Sequence, residues 1–162
     1  MVAVIAHALA VIGRDIFGRR ADPGAAAAAA LFHDASEIFT GDLPTPIKYF
    51  DPDIMSSYKR VESVASSKLL SALPPEMRPA YEPLLSPAGA DGIPELVKAA
   101  DKLAAYIKCL EELKTGNLEF RLAAEQSRKK LSALEMPEVE YFIKHFIPAF
   151  ELTLDELDFS ID

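Results

Sequence analysis

Metal-assisted chemistry is within reach of His33, Asp34 and Glu37, which stand close together in Leu31-Phe32-His33-Asp34-Ala35-Ser36-Glu37-Ile38-Phe39-Thr40-Gly41-Asp42. A neutral imidazole beside a carboxylate is a good ligand pair for a divalent metal. Glu37 follows one helical turn after His33, so on a continuous helix the two would share a face. A carboxylate there could act on a metal-bound water. The pair interrupts an apolar stretch, where an unpaired charge is costly. A second isolated carboxylate, Asp101, lies far downstream among Val97, Ala104 and Ala105. That setting predicts a half-buried Asp101, and buried charges are usually paired or bound to metal. Two plainer readings stand beside these. Most adjacent His-Asp pairs on helices are not ligands, and Asp101 could form an exposed, weak ion pair with Lys98 or Lys102.

The elements that must position these groups are helical. Met1 to about Gly13 has apolar residues at Val4, Ile5, Ala8, Leu9 and Ile12, a helical spacing. Arg14 to Arg20 reads as a polar connection. Asp22-Pro23 is a cap-plus-proline helix start. The helix it opens is predicted to carry Ala25–Ala30 and then the His-Asp pair, and its alanines would let a neighbouring helix approach closely. Gly41-Asp42-Leu43-Pro44 stops it. Asp51-Pro52 opens a second capped helix, running to about Leu73. This helix is amphipathic through Met55, Tyr58, Val61, Val64, Leu69 and Leu70. Glu76–Leu85 can hold a short helix, broken by Pro79 and Pro83. Pro94 opens a long helix to about Lys114, ended at Gly116. Leu118–Leu134 and Pro137 to about Phe150 complete the set. No segment alternates with period two. The expectation is an all-α, single-domain bundle of six or seven helices spanning residues 1–162.

The 162 residues suit one domain with a sizeable core, and 50% of them are hydrophobic, which excludes a disordered chain. A formal net charge of -8 argues against binding long nucleic acid, which needs clustered Lys and Arg. A single cysteine, Cys109, permits no intrachain disulfide and no thiolate-only metal site, and it fits a reducing cytoplasm. The apolar start lacks a basic n-region, and Ala25–Phe32 is too short to span a bilayer, so no membrane partner is expected.

Taken together, these residues resemble the HD-domain metal-dependent phosphohydrolases, and more closely their bacterial 5'-deoxynucleotidase (YfbR-like) branch. The resemblance rests on His33-Asp34-Ala35-Ser36-Glu37, on Thr40-Gly41-Asp42-Leu43-Pro44-Thr45-Pro46 and on Lys48-Tyr49-Phe50. Downstream it continues through Lys98-Ala99-Ala100-Asp101, Tyr106–Glu112, Glu140-Tyr141-Phe142 and Leu152–Glu156. The Gly-Asp-Leu-Pro-Thr-Pro run is its specific part. The resemblance implies a phosphomonoesterase acting on 2'-deoxyribonucleoside 5'-monophosphates. The metal ligands would be His33, Asp34 and Asp101, and the catalytic carboxylate Glu37. Substrate would be bound by Asp34, Asp42, Leu43, Pro44, Thr45 and Asp101. The resemblance further implies a divalent transition metal such as Co2+ or Mn2+, and a homodimer.

The family's additional metal-binding His, in a Glu-His-Ser run, and an Arg-Trp pair for the phosphate would both fall ahead of Met1. The domain is therefore expected to lack its N-terminal helix segment. His7 stands about half a turn out of phase with that missing His. It reads as a core or interface histidine, as does His145. Three rival functions remain. One is an HD hydrolase of a nucleoside triphosphate or an alarmone, although no basic cluster is seen beyond Lys48 and Lys59-Arg60. The second is a non-catalytic helical binding module with an incomplete metal site. The third is a purely structural dimer that uses the aromatic face Tyr141, Phe142, Phe146 and Phe150 as its interface. Core packing is the plainer reading of that stripe.

Overall fold

The structure is a computed structural model that describes residues 1–44, 47, 50–86, 92–153 and 156. Among these residues the chain is all-α, with no strand. Helix α1 (Val2–Phe17) is the centre of the bundle. Its Ile5, Leu9 and Ile12, with Ala6 and Ala10, are buried at helical spacing. Helix α2 (Pro23–Leu31) packs closely on it. The Asp22 carboxylate caps α2 by accepting from Ala25 N–H at 2.6 Å, and Pro23 occupies the first turn. Ala26, Ala29 and Ala30 are buried, so the alanine run does serve as a close-approach surface.

Helix α3 (Glu37–Thr40) is a single turn. Helix α4 (Pro52–Ala72) starts at the expected cap, where Asp51 accepts from Asp53 N–H at 2.6 Å. Helix α5 (Arg78–Leu85) carries Pro79 at its start and Pro83 inside. Helix α6 (Ile93–Lys114) crosses α1 and α2 and buries Leu96, Val97, Ala100, Leu103 and Ile107 against them. A 3-10 turn (Leu118–Phe120) leads into α7 (Arg121–Ser132), followed by α8 (Pro137–His145) and α9 (Ile147–Glu151). Leu9, Leu103, Ile107, Leu131 and Val139 are the largest fully buried side chains, contributed by α1, α6, α7 and α8 to one core. Leu103→Ala is expected to lower unfolding stability by about 3 kcal/mol, because lost transfer energy and a residual cavity add. Urea denaturation of the purified variant reads that loss.

Nine α-helices are described, more than the six or seven expected, because proline and turns subdivide the longer segments. Pro148 lacks the N–H that would continue α8, so the last segment breaks at Phe146. Helix α1 runs on through the expected polar connection to Phe17, where Gly18, at φ 67, caps it. The apolar stripe of α4 is not buried. Ala65 is its only buried residue, Val61 and Val64 are exposed, and the helix packs mainly on α3 and α5. His7 and His145 are both exposed, so neither is a core histidine, and the His145 ring lies tilted against that of Tyr141, their centroids 4.2 Å apart. Of the aromatic stripe, Phe142 is buried, whereas Phe146 is exposed and stacks on it at 5.0 Å. No helix among the described residues is long and apolar enough to cross a membrane.

Candidate active site

Helix α2 ends at Leu31, so His33 and Asp34 lie in the connection to α3 rather than on a helix. Through this connection the backbone bonds run at three-residue spacing. Phe32 N–H donates to Ala29 O, Ala35 N–H to Phe32 O and Glu37 N–H to Asp34 O, at 2.9 to 3.1 Å. A tighter winding of this kind, about three residues per turn, abolishes the four-residue alignment. The shared helical face expected for His33 and Glu37 therefore does not form. Glu37 instead opens α3, half-buried, and Gly41 N–H donates to its carbonyl at 2.9 Å.

The turn aims the imidazole inward. Nδ1 of His33 donates to the Ala30 carbonyl at 2.8 Å, which places the remaining lone pair on Nε2. Nε2 is buried and makes no hydrogen bond. Two carboxylates face it nonetheless: Asp34 Oδ2 at 3.0 Å and, from the middle of α6, Asp101 Oδ1 at 3.9 Å. These are ion-pair distances without hydrogen-bond geometry. The Asp101 carboxylate is the main influence raising the His33 pKa. Burial opposes it, and the Ala30 carbonyl and the Asp34 charge add to it. The surroundings thus favour positive charge at Nε2, which either a proton or a metal cation supplies.

The residues fit a divalent cation on three counts. A buried imidazole nitrogen lacks a hydrogen-bond partner. Its other nitrogen is fixed by a backbone carbonyl, as in most metal-binding histidines. One nitrogen and two carboxylate donors suit a first-row transition metal. Two ligand atoms at right angles, each about 2.1 Å from one ion, stand about 3.0 Å apart, which the His33–Asp34 pair matches. The Asp101 gap is wider, and among the described residues no group of three His, Cys, Asp or Glu side chains closes far enough to hold an ion. Asp101 is also not half-buried as expected. Its side chain is 57% exposed, with room to turn, and among the described residues it forms no ion pair with Lys98 or Lys102.

Downstream of α3, Gly41 takes φ 67 and ψ 166, turning the chain out of the helix into Asp42, Leu43 and Pro44. Asp42 and Pro44 are exposed and Leu43 is half-buried. Thr45 lies outside the described residues. A shallow groove of about 420 Å³ runs beside this loop, lined by Leu43, Asp53, Ile54, Ser57, Tyr58 and Val61. Tyr58, which sequence reasoning took only for an apolar helix position, donates from its hydroxyl to Gly41 O at 2.9 Å. Its aromatic ring at a helical core position gave no sign of that bond. A second groove, of about 570 Å³ between α1, α6 and α8, is lined by neither His33 nor Asp101.

The family model for YfbR-like 5'-deoxynucleotidases matches residues 1–150. The chain belongs to the YfbR-like 5'-deoxynucleotidase family. Within that family it is 48% identical over 157 residues to a 5'-deoxynucleotidase of Vibrio parahaemolyticus, covering 96% of this chain and 81% of the relative. It is 45% identical over 161 residues to a 5'-deoxynucleotidase of Photorhabdus laumondii, covering 99% and 82%. Among solved structures, an HD-domain phosphohydrolase from Listeria innocua superposes with a TM-score of 0.72 at 26% identity, covering 92% of this chain and 72% of that one. The all-α bundle of this YfbR-like chain is therefore of the HD-domain type.

Proposed function

We propose that this YfbR-like chain is a metal-dependent 5'-deoxynucleotidase that hydrolyses 2'-deoxyribonucleoside 5'-monophosphates to deoxynucleoside and phosphate. The observation that carries this reading is the buried, unbonded His33 Nε2 facing Asp34 and Asp101, in a chain of a deoxynucleotidase family. HD-domain phosphohydrolases generally depend on a divalent metal. Here His33 Nε2 and the Asp34 and Asp101 carboxylates would hold it, with a modest turn of Asp101, and a Mn2+ or Co2+ ion suits their nitrogen and oxygen donors. When bound, such an ion neutralises phosphate charge and lowers the pKa of a bound water.

The chain's own groups then supply the rest. Glu37 orients the attacking water and accepts its proton as the new oxygen–phosphorus bond forms in line with the breaking bond to the 5'-oxygen. The same carboxyl hands a proton to the departing 5'-oxygen. Asp42 accepts a hydrogen bond from the sugar 3'-hydroxyl, while Leu43, Pro44 and Thr45 pack against the sugar. Asp34 and Asp101 would also line the phosphate end of the substrate site. Residues 1–162 act as one domain, supported by the common core that α1, α2, α6, α7 and α8 share. The protein works as a homodimer in the cytoplasm. The exposed stripe of α4 is consistent with burial against a second copy, and the single cysteine with a reducing compartment.

The test is phosphate release from deoxynucleoside 5'-monophosphates, ribonucleoside monophosphates, a nucleoside triphosphate and an alarmone, with Mn2+ or Co2+ added. Release from the deoxy monophosphates above all others is expected. Preferential turnover of a triphosphate or alarmone would favour the related hydrolase. Absence of any turnover together with absence of metal binding would leave a non-catalytic module.

A further inference from the structure

Where the chain leaves α3, two hydroxyl groups meet at one oxygen atom. Gly41 O accepts from Tyr58 Oη on α4 at 2.9 Å and from Thr40 Oγ1 at 3.0 Å. The two hydroxyls are themselves 3.4 Å apart. A carbonyl has two lone pairs, and both are used here. That carbonyl belongs to the planar peptide joining Gly41 to Asp42, so fixing its oxygen fixes the plane that carries the Asp42 Cα. On the other side of Gly41, its N–H donates to Glu37 O at 2.9 Å. Glu37 and Asp42 therefore sit at the two ends of one six-residue stretch, pinned at both of the Gly41 backbone groups. The backbone between them takes φ 67 at Gly41, a conformation open chiefly to glycine.

We propose that Tyr58 is a positioning residue for substrate: its hydroxyl sets the Gly41–Asp42 peptide so that Asp42 meets the sugar 3'-hydroxyl at the correct distance from Glu37. This rests on the deoxynucleotidase reading above. Tyr58 acts through Asp42 and touches no reacting atom. It also ties a substrate contact to α4, a helix that otherwise packs mainly on α3 and α5.

The test is Tyr58→Phe, which keeps the ring and removes only the donor. Loss of one such bond is expected to lower kcat/KM on a deoxynucleoside 5'-monophosphate about tenfold. The loss should appear in KM with kcat nearly unchanged, since the sugar contact is made equally in ground and transition states. A 2',3'-dideoxynucleoside 5'-monophosphate has no 3'-hydroxyl for Asp42 to hold, so wild type and Tyr58→Phe should process it alike. Thr40→Val should behave as Tyr58→Phe does, to a smaller degree, and Tyr58→Phe should add nothing in an Asp42→Ala background. Equal losses on both substrates, or none on either, would overturn the positioning role. Hydrogen exchange across residues 37–43, read without substrate or metal, separates this from the underlying reading. Faster exchange in Tyr58→Phe supports the clamp, and unchanged exchange overturns it whatever the activity. A wild-type protein inactive on every deoxynucleotide overturns the deoxynucleotidase reading itself and removes the substrate role with it.

Discussion

Glu37→Gln is expected to lower turnover of a deoxynucleoside 5'-monophosphate by about 10²- to 10⁴-fold, the range for loss of a general acid–base group. Gln keeps the size of the side chain and its ability to hydrogen-bond but accepts no proton at neutral pH. The variant should fold normally, because Gln fills the same half-buried space at the start of a one-turn helix and leaves the backbone bond from Gly41 N–H to the carbonyl of residue 37 in place. It should also bind metal as the wild type does, since Glu37 is not among the groups facing His33 Nε2. The informative result is therefore a split: kcat falls steeply, while metal content and thermal midpoint stay within error of wild type. Phosphate release and elemental analysis on the same preparation read both halves. Wild-type turnover by Glu37→Gln would remove Glu37 from the chemistry, and loss of metal would make it a ligand instead.

Asp101→Ala should act at the other half of the site. Removing one of three donors is expected to weaken metal affinity by at least about 100-fold, more than changes to supporting partners cost. The consequence is visible without any substrate. At a free metal concentration near 100 times the wild-type Kd, binding stabilises the wild type by about 2.7 kcal/mol. A variant with 100-fold weaker binding gains only about 0.4 kcal/mol under the same conditions. Thermal melts with and without Mn2+ should thus separate clearly for the wild type and barely at all for Asp101→Ala. Metal-free melts should nearly coincide, because Asp101 is 57% exposed and its removal opens no core cavity. An undiminished metal-induced shift in the variant would take Asp101 out of the site.

How far the sequence reveals this architecture depends on how local the signal is. Asp22-Pro23 and Asp51-Pro52 are caps in the structure, with their carboxylates on Ala25 and Asp53 N–H, because capping is decided within one helical turn. The alanine run packs against α1 for an equally local reason. By contrast, the end of α2 at Leu31 has no proline or glycine to mark it. Residues 32–36 wind more tightly through backbone bonds that the residue types do not announce. The periodicity of α4 is present, but periodicity states that a face is apolar and not what covers it. Val61 and Val64 are exposed for that reason.

The site divides along the same line. Adjacent His33 and Asp34 suggest ligation by type alone. The meeting of Asp101 with them, from a different helix, is a tertiary fact that only the family resemblance anticipated. The small residues around Asp101 suggested burial, yet α6 places it at the rim with its side chain 57% exposed. Tyr58 was the least legible residue. An aromatic at an amphipathic position reads as packing, and its hydroxyl bond to Gly41 depends on where α3 happens to end.

The central claim is that one divalent ion is shared by His33, Asp34 and Asp101. Crystals of the protein grown with Co2+, with anomalous diffraction collected at the cobalt edge, test it most directly. The account predicts a single strong peak about 2.1 Å from His33 Nε2 and within coordination reach of both carboxylates. A peak bound elsewhere, or cobalt-saturated crystals with His33 Nε2 bonded only to the two carboxylates, would contradict it.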